Sequence, residues 1–561
     1  MRLLLSICLV ILTCGWCDGL RILALFPITG KSHWIMEERL MIKLAERGHH
    51  VDIYTHFPTK NPPKNYNQYS LEGSLEIAVN NITMDNVTNF EKANLAMLSY
   101  MTGDQLCDLM KHPHFQELIK NPPKEPYDLI ATELFMSPCY LVFGTYLKAP
   151  VVGMITSSFI DWINHRVGNP INLAITPGLF TSFTERMTFW ERLQNTFITN
   201  MIMMETDYYV NKQKTYVKQY MDIDIEIPEL YKNLALILVN SHHSVTGVTT
   251  KSTGVIEVGG LHVKENGDPL TPEMEKWLNE STHGCVYFTF GSMVRIETFH
   301  KSLLETFYKV FKRIAPVRVM MKVAKKEDLL PGLPENVMIQ PWYPQISVLK
   351  HKNLKAFITH GGLMGTQEAI YFGIPVIGIP LFGDQKLNLQ NMARKNVGVN
   401  LGSFNNVTEE NLYNALKSVL DDKKYKSNMQ KLSELFKDRP MTALDTAVYW
   451  VEYVARHGYI LQSSAIDLNM FQQSLLDVYG FMALSVKEIF VKFSDWLLLE
   501  NYLQYNKYSF HWIPLYIIIL SLIKLLSTDL STREIIQPLL NEITFIITIF
   551  KSYQVSANLF Q

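Results

Sequence analysis

Apolar positions along this chain gather into short runs separated by segments of helical spacing, a pattern that predicts parallel strands alternating with helices. RILALF, from Arg21 to Phe26, reads as a strand. A loop through Pro27 and Gly30 follows, then an amphipathic helix over about Trp34 to Arg47 and a second strand, HVDIYT, which completes a βαβ unit. Runs at Asp128 to Thr132, Val151 to Thr156 and Leu234 to Val239 predict further strands of the same sheet. From Ser158 to Asp222 the periodicity breaks up in a stretch rich in Met, Phe, Tyr and Trp, expected either to shape an apolar pocket or to fill the core. The second half alternates more cleanly, with strands expected near Val286, Val317, Val337, Leu354, Ile374 and Gly398, the pattern of a doubly wound domain.

At 561 residues the chain is too long for one core. The 52 basic against 53 acidic side chains leave a net charge of -1, which offers no footprint for nucleic acid. Arg2, an apolar run from Leu3 to Leu12 and small residues from Gly15 to Gly19 predict a cleaved signal peptide over residues 1–19. Cys8, Cys14 and Cys17 would leave with it. Cys107, Cys139 and Cys285 remain, and at most one disulfide joins two of these three. Sequons at Asn81, Asn86, Asn279 and Asn406 are candidate glycosylation sites. The adjacent pairs His49 with His50 and His242 with His243 read as solvated. Beyond Asp477 three hydrophobic runs are each too short, or too interrupted by Lys487, Glu488, Lys492, Pro514 and Lys524, to make a convincing span. That tail reads either as short segments held at a membrane or as a stretch foreign to the authentic product.

The stretch from Phe357 to Gln385 carries the most chemistry. An apolar strand ends at Thr359, and His360, Gly361 and Gly362 turn the backbone into a helix whose N-terminus suits a diphosphate. Glu368 follows on that helix. Pro375 and Pro380 bracket another strand, and Asp384, Gln385 and Asn388 close the pattern. With WYPQ at Trp342 to Gln345, VYFTFGSM ending at Ser292 and Met293, and IEVGGLHV from Ile256 to Val263, this order resembles the signature of the UDP-glycosyltransferase family over about Ile22 to Asp477.

The resemblance implies an α/β chain of GT-B type: two Rossmann-like domains facing across a cleft, with a signal peptide and a hydrophobic tail. The corresponding spans are 20–260 for an acceptor-binding domain, 261–440 for a UDP-sugar-binding domain, 441–475 for helices packing back on the first domain, and 476–561 for the tail. By resemblance His33, in GKSHW, is the general base that takes the acceptor's proton. Its carboxylate partner would be Glu133, at the end of YDLIATE, where the family carries aspartate; a structural role such as capping is the competing reading. Trp342 would stack on uracil and Gln345 pair with its edge. Glu368 would hold the ribose, while Ser292, His360, Gly362 and Gly365 would lie around the donor's diphosphate and Asp384 and Gln385 would fix the sugar. Met364 and Gly365 depart from the family's usual Asn and Ser, which implies weaker or altered donor binding.

No metal or other cofactor is expected. The helix end and His360 would meet the leaving group's charge. The implied partners are a UDP-sugar, a small lipophilic acceptor and a membrane, with the catalytic domains in the endoplasmic reticulum lumen and a homo-oligomer left open. Inverting hexose transfer, with glucose favoured by the invertebrate character of GKSHW, is the implied reaction. The alternative is a binding protein of the same fold that has lost activity.

Overall fold

The inner strands of the first half are buried on both faces and mostly apolar, and this is what the computed structural model, which describes residues 19–91 and 95–504, builds from. The predicted leader and the hydrophobic runs beyond residue 504 lie outside the described residues. Described residues up to Asn469 form one compact unit and those from Met470 another.

In the first unit, β1 (Arg21–Phe26), β2 (His50–Thr55), β3 (Tyr66–Ser70), β4 (Leu129–Glu133), β5 (Val151–Ile155), β6 (Leu234–Val239) and β7 (Val255–Glu257) form an all-parallel sheet in the order β3-β2-β1-β4-β5-β6-β7. A second parallel sheet holds β8 (Cys285–Thr289), β9 (Arg318–Lys322), β10 (Val337–Gln340), β11 (Leu354–Thr359), β12 (Val376–Gly378) and β13 (Gly398–Asn400), ordered β10-β9-β8-β11-β12-β13. Both are doubly wound α/β sheets. Strand β3, YNQYS, was not legible as a strand, because an edge position does not require two apolar faces.

The helices that matter for the site are α1 (Lys31–Glu46), α2 (Phe189–Val210), α3 (Gln345–Lys350), α4 (Leu363–Tyr371), α5 (Gln385–Arg394) and α6 (Ala443–His457). Trp34, Leu40, Met41 and Leu44 of α1 pack on Ile22, Ala24 and Phe26 of β1, and α6 adds Ala447, Val448, Val451 and Val454 to the same core. Each such aliphatic side chain, fully buried, contributes about 1.5–3 kcal/mol. Two corrections concern histidines. His242 is buried, and His49 accepts from Leu20 N–H at 3.1 Å and pairs with Glu452 at the same distance, so neither is solvated.

Helix α2 is partly inverted. Its Asn195, Thr199 and Thr206 are buried together with Met203 and Val210, while Phe189, Trp190, Leu193, Phe197, Met201, Met204 and Tyr208 are exposed. Much of the aromatic and methionine-rich stretch therefore lines neither a pocket nor the core. Cys107 and Cys139 form a disulfide, and Cys285 is a buried free thiol.

A strap from Ala78 to Val87 joins the two sheets. Ala78 bridges Gly30 and Ile82 bridges Val294; Asn80 N–H donates to Ser292 O at 2.9 Å. Met84 and Val87 then enter the core of the second sheet, beside Phe288 and Phe290. The strap also contains the sequon residue Asn81, whose Nδ2 donates to Glu76 and to Ile77 O at 2.8 Å each, whereas Asn86, Asn279 and Asn406 are exposed.

In the second unit, α7 (Leu476–Gln504) carries Lys487, Glu488, Lys492 and Asp495 along its length. Among the described residues no helix is long and apolar enough to cross a membrane.

Candidate active site

A doubly wound sheet reverses direction at one point, and ligands bind in the crevice beyond the strand ends there. In the first sheet that point lies between β1 and β4, and in the second between β8 and β11. The segment after β1 supplies His33, and β4 ends in Glu133. The loop after β8 supplies Ser292, and the turn after β11 supplies His360 and Gly362. One cavity of about 270 Å³ is lined by His33 and Thr156 from the first sheet's side and by Ser292, Trp342, Gln345, His360, Gly362, Gly365, Glu368, Asp384 and Gln385 from the second's.

On the first side, His33 Nδ1 lies 2.6 Å from Glu133 Oε1, and the Thr156 hydroxyl donates to the same oxygen at 2.6 Å. With Nδ1–H donating to the carboxylate, Nε2 keeps its lone pair. The His33 side chain is 30% exposed and that of Glu133 2%, so the base reaches the cavity while its partner stays dry. Burial alone would lower the imidazole's pKa; the Glu133 charge and hydrogen bond, with Asp384 adding, outweigh it and raise the value. For Glu133 burial pushes upward, but His33, Glu37 and Thr156 together hold the carboxyl below its ordinary range.

On the second side, Trp342 stands 46% exposed just before α3. Lys322, the last residue of β9, lies 5.4 Å from that ring's centre and donates its ammonium to Gly291 O. Burial lowers the Lys322 pKa to about 8, so it is charged at neutral pH. His360 sits between two glycines: a Cβ at Gly291 would come within 2.8 Å of its ring and one at Gly362 within 2.7 Å. Gly291 also holds φ at +74°, which favours glycine. Burial, and then Lys322, push His360 down to about 4. The ring is therefore neutral in this structure, and Lys322 brings a cation to the lining of the same cavity.

Two amides are partly engaged already. Gln345 Nε2 donates to Glu368, which leaves the Gln345 carbonyl for a ligand. Gln385 Oε1 accepts from Leu381 N–H at 2.8 Å and Phe382 N–H at 3.1 Å, which leaves its amide nitrogen. Burial raises Glu368 to about 7 despite Gln345. Asp384 accepts from Asn388 Nδ2 at 2.9 Å. At Gly365, a Cβ would meet Gln345 Nε2 at 3.4 Å, an ordinary contact, so the missing serine side chain leaves usable space.

Sequence reasoning missed Lys322, Thr156, Glu37 and His262. Lys322 and Thr156 stand at or just beyond the carboxyl ends of apolar strands, the place where cleft residues collect, and that signal was available. Glu37 interrupts the apolar stripe Trp34, Met41 and Leu44. His262, buried 3.5 Å from Glu368, follows IEVGGL with no such mark.

The model of the family "UDP-glucoronosyl and UDP-glucosyl transferase" matches residues 22–504. The chain is 36% identical over 473 residues to UDP-glucosyltransferase 2 of Dactylopius coccus, covering 83% of this chain and 90% of that protein. It is 32% identical over 486 residues to UDP-glucuronosyltransferase 1A6 of Mus musculus, covering 82% and 88%. Among solved structures, Phytolacca americana UGT2 complexed with UDP-2fluoro-glucose and pterostilbene shares the fold, with a TM-score of 0.54 at 16% identity over 78% of this chain and 100% of that one.

Proposed function

Because this chain belongs to the UDP-glucoronosyl and UDP-glucosyl transferase family, we propose that it transfers glucose from UDP-glucose to a hydroxyl group of small lipophilic acceptors, with inversion to a β-glycoside. That it is a UDP-glycosyltransferase follows from the family; the choice of sugar, acceptor and stereochemistry is the proposal. Glucose is favoured by the relative of 36% identity that is named a glucosyltransferase. A lipophilic acceptor is favoured by the aromatic wall beside the base, where Phe135 lies 6.4 Å from His33 and Trp162 5.9 Å from Phe135, centre to centre.

In this reading His33 Nε2 takes the acceptor's hydroxyl proton as that oxygen bonds to the anomeric carbon. The bond from that carbon to the diphosphate breaks, and its electron pair leaves with UDP. Attack on the face opposite the leaving group inverts the centre. Glu133 stabilises the imidazolium as it forms, and Lys322 with the first N–H groups of α4 meets the charge gathering on UDP. Trp342 and Gln345 hold uracil, Glu368 the ribose, and Asp384 and Gln385 the sugar hydroxyls. This scheme needs no metal, so chelators should leave turnover unchanged. Leader and sequons together support a location in the endoplasmic reticulum, with the catalytic domains in the lumen and the protein at its membrane.

The observation that carries the reading is the contact between His33 and Glu133, facing the donor residues across one cavity. With UDP-glucose and a phenolic acceptor the full chain should release UDP and a β-glucoside. His33→Ala should cut turnover about 10²–10⁴-fold at unchanged UDP affinity. Donor binding with no product from the wild type, or near-normal turnover in His33→Ala, overturns the reading.

A further inference from the structure

Helix α1 buries an acid that the scheme above leaves without a part. Glu37 is 1% exposed and lies one helical turn beyond His33, among Trp34, Met41 and Leu44. Its carboxyl group is within hydrogen-bonding reach of Glu133. Glu133 Oε1 is occupied by His33 and Thr156 at 2.6 Å each, whereas Glu133 Oε2 and Glu37 Oε1 are both buried with no donor directed at them. Two ionised carboxylates in contact cannot share such a site; one proton between them satisfies both.

We infer that Glu37 is a positioning residue for the His33–Glu133 pair: as a neutral carboxylic acid it donates its O–H to Glu133 Oε2 and so fixes the carboxylate with Oε1 toward the imidazole. The inference rests on His33 being the base. Surroundings decide which acid holds the proton. Glu133 faces the imidazole and the Thr156 hydroxyl just after β5, both of which favour its charge. Glu37 faces apolar neighbours on α1, Glu133 on β4, and the neutral phenol of Tyr66 on β3. Burial first, and then Glu133, push Glu37 well above the ordinary carboxyl range. Asp384 acts on the trio through His33. With its second oxygen occupied, Glu133 shares its charge among three donors, His33, Thr156 and Glu37. Loss of the Glu37 proton donor would concentrate that charge on the imidazole and raise its affinity for a proton.

The test compares the full chain with Glu37→Gln, which keeps a neutral donor, and Glu37→Leu, which keeps bulk without one. Expected for Glu37→Gln is kcat within about threefold of wild type and an unmoved acid limb of the pH profile of kcat/KM. Glu37→Leu should lose about tenfold or more in kcat at unchanged UDP affinity, in the range that misplacement of a catalytic group produces, and its acid limb should move to higher pH. Infrared difference spectra, wild type minus Glu37→Gln at neutral pH, should show the carbonyl stretch of a protonated carboxylic acid. Loss of an ionised-carboxylate band instead, Glu37→Leu with wild-type kcat and an unmoved limb, or Glu37→Gln as impaired as Glu37→Leu, each overturns the proposal. If Glu37→Leu does not fold, the infrared band and Glu37→Gln decide. If the wild type transfers no sugar, the functional reading fails on its own, and the infrared band still reports the state of Glu37.

Discussion

Replacing Glu133 by glutamine keeps the size of the side chain and removes its charge, and so isolates what that charge does for His33. In the transition state the imidazole becomes imidazolium beside a carboxylate whose near oxygen is 2.6 Å away. At an effective charge separation of about 4 Å and a dielectric constant of about 20 the attraction is ~4 kcal/mol. The amide oxygen still accepts a hydrogen bond worth ~1 kcal/mol. A deficit of ~3 kcal/mol remains, or about 10²-fold in kcat. UDP affinity should not change, because the donor contacts lie across the cavity. A second signature is independent of the first. Transfer requires neutral His33, so kcat/KM falls as pH drops through that group's pKa, which lies above the ordinary imidazole value in the wild type because Glu133 outweighs burial. In Glu133→Gln burial acts without that compensation, and the acid limb should move to lower pH. Steady-state rates against pH, with melting temperature as the control for folding, read both effects. A kcat within a few-fold of wild type together with an unmoved limb would refute the argument and leave Glu133 a structural acid.

Trp342→Ala should weaken UDP binding by about 1–3 kcal/mol, the range for one stacked base, and calorimetry showing no change would remove the ring from the donor site. Lys322→Met should weaken UDP more than uridine, since the loss falls on the diphosphate; equal effects on the two ligands would contradict this. In the wild type, UDP affinity should decline as pH rises through about 8 and beyond, where the ammonium of Lys322 loses its proton, and that decline should vanish in the variant. Gly365→Ser should fold normally and tighten UDP, because its Cβ meets Gln345 at an ordinary contact distance and its hydroxyl comes to the first turn of α4; weaker binding would mean the space is filled by the donor itself.

Much of this was legible in the residues. Double burial makes a parallel strand a plain apolar run, so the strand that ends in Glu133 and the strands just before His33, Ser292 and His360 stood out, and the glycine turn before Glu368 marked the start of α4. What stayed hidden has physical reasons. The polar edge strand β3 breaks the apolar rule because one side is open to solvent. Whether Glu133 reaches His33 depends on register between strands far apart in the chain, as does the proximity of Glu37. The neutrality of His360 comes first from its burial in the folded cavity and then from Lys322, which lies 38 positions earlier in the sequence. Helix α2 was unreadable for the opposite cause: most of its large side chains face outward, against the expectation that such residues seek the core.

The strap from Ala78 to Val87 bears on how this protein can be divided. Although the chain crosses between the sheets near Gly260, the half built on the second sheet is not bounded there. Met84 at 1% and Val87 at 0% exposure are parts of its core supplied by the sequence of the first half. A chimera exchanged at Gly260 alone would pair a foreign strap with the native core and put at risk two buried side chains, about 1.5–3 kcal/mol each. Whatever the first half contributes to binding and the stability of the second sheet's core are thereby inherited together, and recombination that keeps residues 78–91 with their own second sheet is the cut that respects the molecule's seams.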